Sequence, residues 1–149
     1  MATGDALGNT FENDLLKLIF QAVAIADIAD NDATAPLTNL YVSLHTADPG
    51  EAGDQTTSEI SYTGYARVAV ARTAGGWAVT NNSVSPVAAI TFGAMTAGAG
   101  GTVTHFGVGT LATTAGKLLF GSGCTVAPNV VVTNGVTPSL STTTAITLN

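Results

Sequence analysis

"LYVSLHTADPGEAGDQ", residues 40–55, changes character halfway along. Leu40, Val42 and Leu44 alternate with Tyr41, Ser43 and His45, the period of two that a strand with one buried face requires. "ADPGEAGD" then puts two glycines, one proline and three carboxylates into eight positions. Asp48, Glu51 and Asp54 offer oxygen ligands of the kind that hold Ca²⁺. The alternating acidic order of a calcium loop, closed by a glutamate, is missing. Asp48-Pro49-Gly50 is a turn sequence in its own right, because proline fixes φ and glycine accepts a positive one. The stretch therefore reads as a strand running into a turn.

The β pattern continues from there to the end of the chain. Candidate strands are 38–46, 64–73, 76–80, 87–92, 102–109, 117–120, 123–127, 129–133 and 144–148, separated by turn chemistry such as "AGG" (74–76), "TNNS" (80–83) and "AGAGG" (97–101). "RVAVARTAGGWAV" (67–79) reads as a hairpin across its glycine pair. "GVGT" and "GSGC" read as turn glycines, with no helix behind them to receive a phosphate. Short strands with no intervening helix predict an antiparallel β-sandwich or a jelly-roll-like barrel. Neither a heptad track nor an internal repeat is present, so the chain is expected to be a knob and not a rod.

One helix precedes the strands. After a small, polar and loose lead-in (1–9), "TFENDLLKLIFQAVAIADIAD" begins at Thr10, an acceptable N-cap, and carries Glu12 and Asp14 near the positive helix end. Phe11, Leu15, Leu18, Ala22 and Ala26 follow helical spacing, and Leu16, Ile19, Val23 and Ile28 widen the stripe. Pro36 forces an extended chain after it. The expected organisation is an N-terminal arm and helix over 1–36 and a β-sandwich domain over 37–149, together one structural unit.

Composition narrows the function. Of 149 residues 46% are apolar and only 9% charged, against about 25% charged in an ordinary domain. A surface so poor in charge points to a covering partner. All ten acidic residues precede position 60, and the later part holds only Arg67, Arg72 and Lys117 as formal charges. No basic stripe exists to release counterions, so nucleic-acid binding is not expected. Lys17, Asp27 and Asp30 interrupt the apolar stretch 15–29, and no basic segment precedes it, which argues against a signal peptide or a membrane span. Cys124 is the single cysteine; an internal disulfide and a multi-cysteine zinc site are excluded.

Catalysis finds little support. Ser43 and His45 share a strand face with Asp48 near in sequence, but no serine sits in a nucleophile elbow. His105 reads as a structural or interface histidine. No catalytic, cofactor-binding or metal-binding residue is assigned, and the chain is not expected to be an enzyme. Tyr62, Tyr65 and Trp77, with Arg67 and Arg72, form the one aromatic and basic cluster, suited to a sugar, to a subunit interface or to the core. Phe11, Leu15, Tyr62, Tyr65, Arg67 and Trp77 are the candidate interface residues.

"NLYVSLHTADPGEAG", "YTGYARVAVAR", "GGW", "ITF" and "VTHFGVG", in that order, resemble a family of small proteins encoded among tailed-bacteriophage structural genes and often labelled phage tail fibre protein. The resemblance runs from about Phe11 to the C-terminus and names no catalytic residue. It implies a virion structural protein made in the host bacterium, present in many copies, associating with itself as a dimer or trimer. The expected role is a capsid decoration or cement protein bound to the major capsid protein or another virion protein. The alternative it implies is a tail or tail-fibre component that binds a host-surface glycan.

Overall fold

The computed structural model describes residues 8–25, 28–29 and 36–148, with Asn9 described by its backbone alone. One helix, α1 (Asn9–Gln21), is followed by strands β1 (Asn39–His45), β2 (Val68–Ala71), β3 (Trp77–Thr80), β4 (Ser83–Pro86), β5 (Ile90–Thr91), β6 (Gly101–Gly109), β7 (Leu118–Phe120), β8 (Thr125–Val132), β9 (Ser139–Leu140) and β10 (Ile146–Thr147). All pairings are antiparallel. The protein is mainly β with one helix near its N-terminus, as the strand pattern predicts. No helix among the described residues is long and apolar enough to cross a membrane. The expected loose lead-in at 1–7 and the expected continuation of the helix through 26–27 and 30 lie outside the described residues.

The largest sheet runs β2-β1-β6, and the far edge of β6 is shared: β7 pairs with its C-terminal end and β8 with the rest. β10-β4-β3 and β5-β9 form two smaller sheets. Val42 and Val108 from the large sheet face Trp77, Val84, Leu140 and Ile146 from the smaller ones, across an enclosed gap of about 10 Å³. That is at or below the space one water needs, so the sandwich interior is filled.

Three expectations are corrected here. The hairpin read across "TAGG" does not form: β2 pairs with β1 and β3 with β4, so this turn is a corner between sheets. Gly76 serves the corner's tightness. A Cβ at Gly76 would stand 2.2 Å from the Ala71 carbonyl oxygen, and the Thr73 carbonyl accepts the N–H groups of Gly76 and Trp77. The "TNNS" turn is present, with Asn81 at φ 55°, but it opens into β4, where 83–86 carries no strong strand signal. The break expected around Pro128 differs too. Residues 125–132 form one strand whose register against β6 shifts between Val103 and His105; a proline is tolerated in such an irregular edge strand because no neighbour needs its N–H.

The helix is shorter than its periodicity suggests. It ends at Gln21, with Ala22 in the left-handed region at φ 57° and the N–H groups of Ala22 and Val23 both donating to the Lys17 carbonyl. Ile25 and Ala29 then pair across a small antiparallel bridge. Gly8, not Thr10, is the N-cap and offers no side-chain bond. The stripe that faces the sandwich is Glu12, Leu16 and Phe20, all buried, while Phe11 is 36% exposed. α1 packs on β3 and β4, with the Phe20 ring edge-on to Trp77 at 4.8 Å. Arg72 fixes its C-terminal end: Nε donates to the Ile19 carbonyl at 2.7 Å and Nη2 to that of Leu18 at 2.8 Å, while Nη1 donates to Leu37 at 2.7 Å. A guanidinium fork thus satisfies carbonyls that a helix end leaves without partners.

Candidate functional site

β1 is buried on both faces, not one. Leu40, Val42 and Leu44 enter the core. Ser43 and His45, on the opposite face, are fully buried as well. What covers them is the segment 46–60, the loop that the opening turn begins. It returns to β1 through the Ile60 N–H, which donates to the Leu44 carbonyl, and the Thr46 N–H, which donates to Ser58.

Under this loop lies a polar layer in which nearly every group has one determined partner. The His45 Nδ1 is 2.8 Å from the Thr57 carbonyl oxygen and Nε2 is 2.8 Å from Ser43 Oγ. A carbonyl only accepts, so Nδ1 carries the proton, and the serine hydroxyl donates to Nε2. Burial holds the imidazole below its ordinary pKa. Ser43 and His45 therefore do meet, as a nucleophile and base would. Asp48 is not their third member, and Ser43 exposes no surface to a substrate.

The glycines of β6 make room for this layer. Gly107, paired with Ser43, has His45 Nε2 2.8 Å from where a Cβ would stand. At Gly109 the same construction meets the Gln55 side chain at 2.2 Å. "GVG" is thus the last part of strand β6 and not a turn, correcting the sequence reading. Gln55, fully buried, joins the loop to the next one: its Nε2 donates to the Leu111 carbonyl at 3.2 Å and its Oε1 accepts the Leu111 N–H at 2.9 Å.

Glu59 and Arg67 close the layer at the surface. Arg67 donates Nε to Glu59 Oε1 and Nη2 to Oε2, each at 2.7 Å, and Nη1 to the Leu111 carbonyl at 3.0 Å. Tyr65 donates its hydroxyl to Glu59 Oε1 at 2.8 Å and accepts the Leu44 N–H at 3.1 Å. The carboxylate raises the Arg67 pKa, and burial raises that of Tyr65. A shallow groove of about 230 Å³ lies beside this pair, lined also by Thr56, Ala66, Thr113 and Thr114.

The acidic residues of the opening loop act on its own backbone. Asp48 accepts the Gly50 N–H at 2.8 Å and the Gly123 N–H at 3.3 Å. Asp54 accepts from the Thr56 N–H at 2.8 Å and its hydroxyl at 2.6 Å. These bonds hold both carboxyls below the usual carboxylate range. No group of three metal-ligating side chains occurs among the described residues. His105 pairs with His45 across the ladder, takes a hydrogen bond contact of 2.8 Å with Thr104 Oγ1, and has Nε2 4.0 Å from Asp48 Oδ2. Burial pushes the Cys124 thiol up to about 11, which keeps it protonated at neutral pH.

Of the candidate interface residues, Tyr65 and Arg67 come together around Glu59, and Tyr62 stands beside Tyr65 at 5.4 Å. Tyr62 is 8% and Trp77 2% exposed. Trp77 belongs with Phe20, Tyr65 with Tyr62 and Phe92, so the aromatics divide between two parts of the core and form no shared stacking platform. Phe11 and Leu15 stand apart on α1. Sequence reasoning missed Gln55 and Glu59. The glycine pair two residues apart in "GVG" was the available signal, since missing side chains on one strand face imply something large opposite.

A family model described as "Podophage GP4 fiber I protein gp80" matches residues 6–146. No curated protein matches the chain.

Proposed function

The chain belongs to the podophage GP4 fiber I protein gp80 family, and on that premise we propose that it is a structural component of the tail fibre that carries no catalysis. Membership makes it a phage virion structural protein. The observation that carries the finer reading is the fibre description of a family that spans 6–146; it supports the tail over the expected capsid decoration. The geometry is in keeping: Ser43, His45, Gln55, Glu59 and Arg67 are spent on each other and on backbone, which builds a rigid block. Tagging the chain in the virion and imaging the particles tests it. Label on the tail is expected; label confined to the head shell overturns it.

Host-glycan binding is the second reading, and one observation favours a place for it. The groove beside Glu59 and Arg67 carries the hydroxyls of Thr56, Thr113 and Thr114, donors and acceptors of the kind that sugars require. Trp77 has no face to offer. A glycan array with the purified chain should give hits that Ala66→Trp, which blocks the groove, removes; an array without hits ends this reading.

A further inference from the structure

The side-chain donors that line the groove beside Glu59 and Arg67 are nearly all spent. Arg67 gives Nε and Nη2 to Glu59 and Nη1 to the Leu111 carbonyl, and its side chain is only 3% exposed. Tyr65 gives its one hydroxyl proton to Glu59. The hydroxyl of Thr56, which lines the groove, gives its proton to Asp54 Oδ1 at 2.6 Å. Among the lining side chains, the hydroxyls of Thr113 and Thr114 are left with a proton for a ligand.

Acceptors are in surplus. A carboxylate has about four lone-pair sites. In Glu59, Oε1 accepts two bonds and Oε2 one, so Oε2 has one site open. The Thr56 oxygen, having donated, can still accept. At the same end of the groove Asp54 uses Oδ1 for the Thr56 N–H and hydroxyl, and no described residue donates to Oδ2. Charge follows the same balance. Arg67 neutralises Glu59 and also lies within the field of Asp54, which leaves two carboxylates against one guanidinium. The hydrogen bonds from Thr56 hold the Asp54 carboxyl below the usual range, so it is ionised at neutral pH.

We propose that this groove takes a sugar carrying a free primary amine, with its ammonium held by Asp54 and Thr56. An ammonium brings three donors and no acceptor, which matches side chains short of donors and rich in acceptors. Its charge makes the bond to Asp54 a charge-assisted one. A sugar acid brings the reverse on both counts. The Thr113 and Thr114 hydroxyls remain for the sugar's own oxygens. This ligand class rests on the glycan reading above, which it narrows.

Calorimetric titration of the full chain with trimers of glucosamine, N-acetylglucosamine and lysine tests it, at about pH 6, where a primary amine is charged. The glucosamine trimer should bind at least about tenfold more tightly than the acetylated one, which has no ammonium. Raising salt from about 50 mM to about 500 mM should weaken it about threefold or more. Asp54→Asn keeps an oxygen for Thr56 and should lower the affinity about tenfold. Glu51→Gln, an equal loss of charge at a residue that lines a different groove, should change it less than about twofold. Ala66→Trp should abolish binding, and Thr113→Trp takes its place if that variant fails to fold. Equal affinity for the two sugars overturns the amine, and so does silence from both. A lysine trimer that binds as tightly as the glucosamine trimer, or binding that survives the tryptophan, overturns the sugar site in favour of bare charge attraction. The glycan reading itself falls only with an array that gives no hits, so the two fail separately.

Discussion

Gln55 and Gly109 share one space. The Gln55 side-chain carbons stand 2.2 and 2.5 Å from where a Cβ at 109 would be, and the amide is tied at both ends to Leu111. It cannot swing aside without giving up two buried hydrogen bonds. Gly109→Ala should therefore lower stability by about 3 kcal/mol, read as a lower urea midpoint with an unchanged slope. The double variant Gly109→Ala/Gln55→Ala should lose less than the sum of the two single variants, because each relieves the other.

The Glu59–Arg67 pair is bidentate, and both side chains are at most 14% exposed. Glu59→Gln leaves the guanidinium with no neutralising charge and at most one of its two acceptor oxygens, and Tyr65 with a weaker acceptor. A cost of about 3 kcal/mol is expected. Glu59→Gln/Arg67→Met should recover part of it in the same urea titration; a double-variant loss equal to the sum of the two single losses would mean the pair is not coupled.

His45 gives the stability a pH dependence of known sign. Its folded-state pKa lies below its ordinary 6.5, chiefly through burial, so the unfolded chain takes up a proton first. The stability is complete above about pH 6.5 and falls as pH drops below it, by up to about 1.4 kcal/mol per pH unit until the folded-state pKa is reached. His45→Gln should flatten the curve over that window. Asp48 and Asp54 are likewise depressed from an ordinary 3.8, and their contribution is lost only at lower pH, below about 4.

Arg72→Ala should release the end of α1. Three carbonyls lose a charged donor, at a cost of about 2 kcal/mol. Hydrogen exchange should quicken across 16–22 more than in β6. Arg72→Lys should not restore it, since one ammonium cannot span three carbonyls in a fork.

The β class, the strand at 39–45 and the turn at 48–50 were legible because each depends on residues adjacent in sequence. Alternation marks a strand, and Asp-Pro-Gly marks a turn. What escaped depends on residues distant in sequence. "TAGG" carries the chemistry of a hairpin and of a corner alike, and only the competition of β1 and β4 for its two arms decides. The second buried face of β1 was hidden because Tyr41, Ser43 and His45 look like solvent-facing residues until the 46–60 loop folds back over them. The helix stripe was misplaced by one position, since Phe11 and Leu15 look more apolar than Glu12. The aromatic cluster was grouped by proximity in sequence, whereas Trp77 crosses the corner into another sheet.

Ser43 and Gly107, 64 residues apart, sit face to face at the centre of the large sheet, and this sets the order of events on the ribosome. The first hundred residues emerge with β2 as the only strand beside β1, so the Ser43 and His45 face that Gly107 closes stays open until β6 is synthesised. Nascent chains of this protein should stay sensitive to protease until synthesis passes Gly109, and refolding from denaturant should be a slow process of milliseconds to seconds, limited by that one encounter.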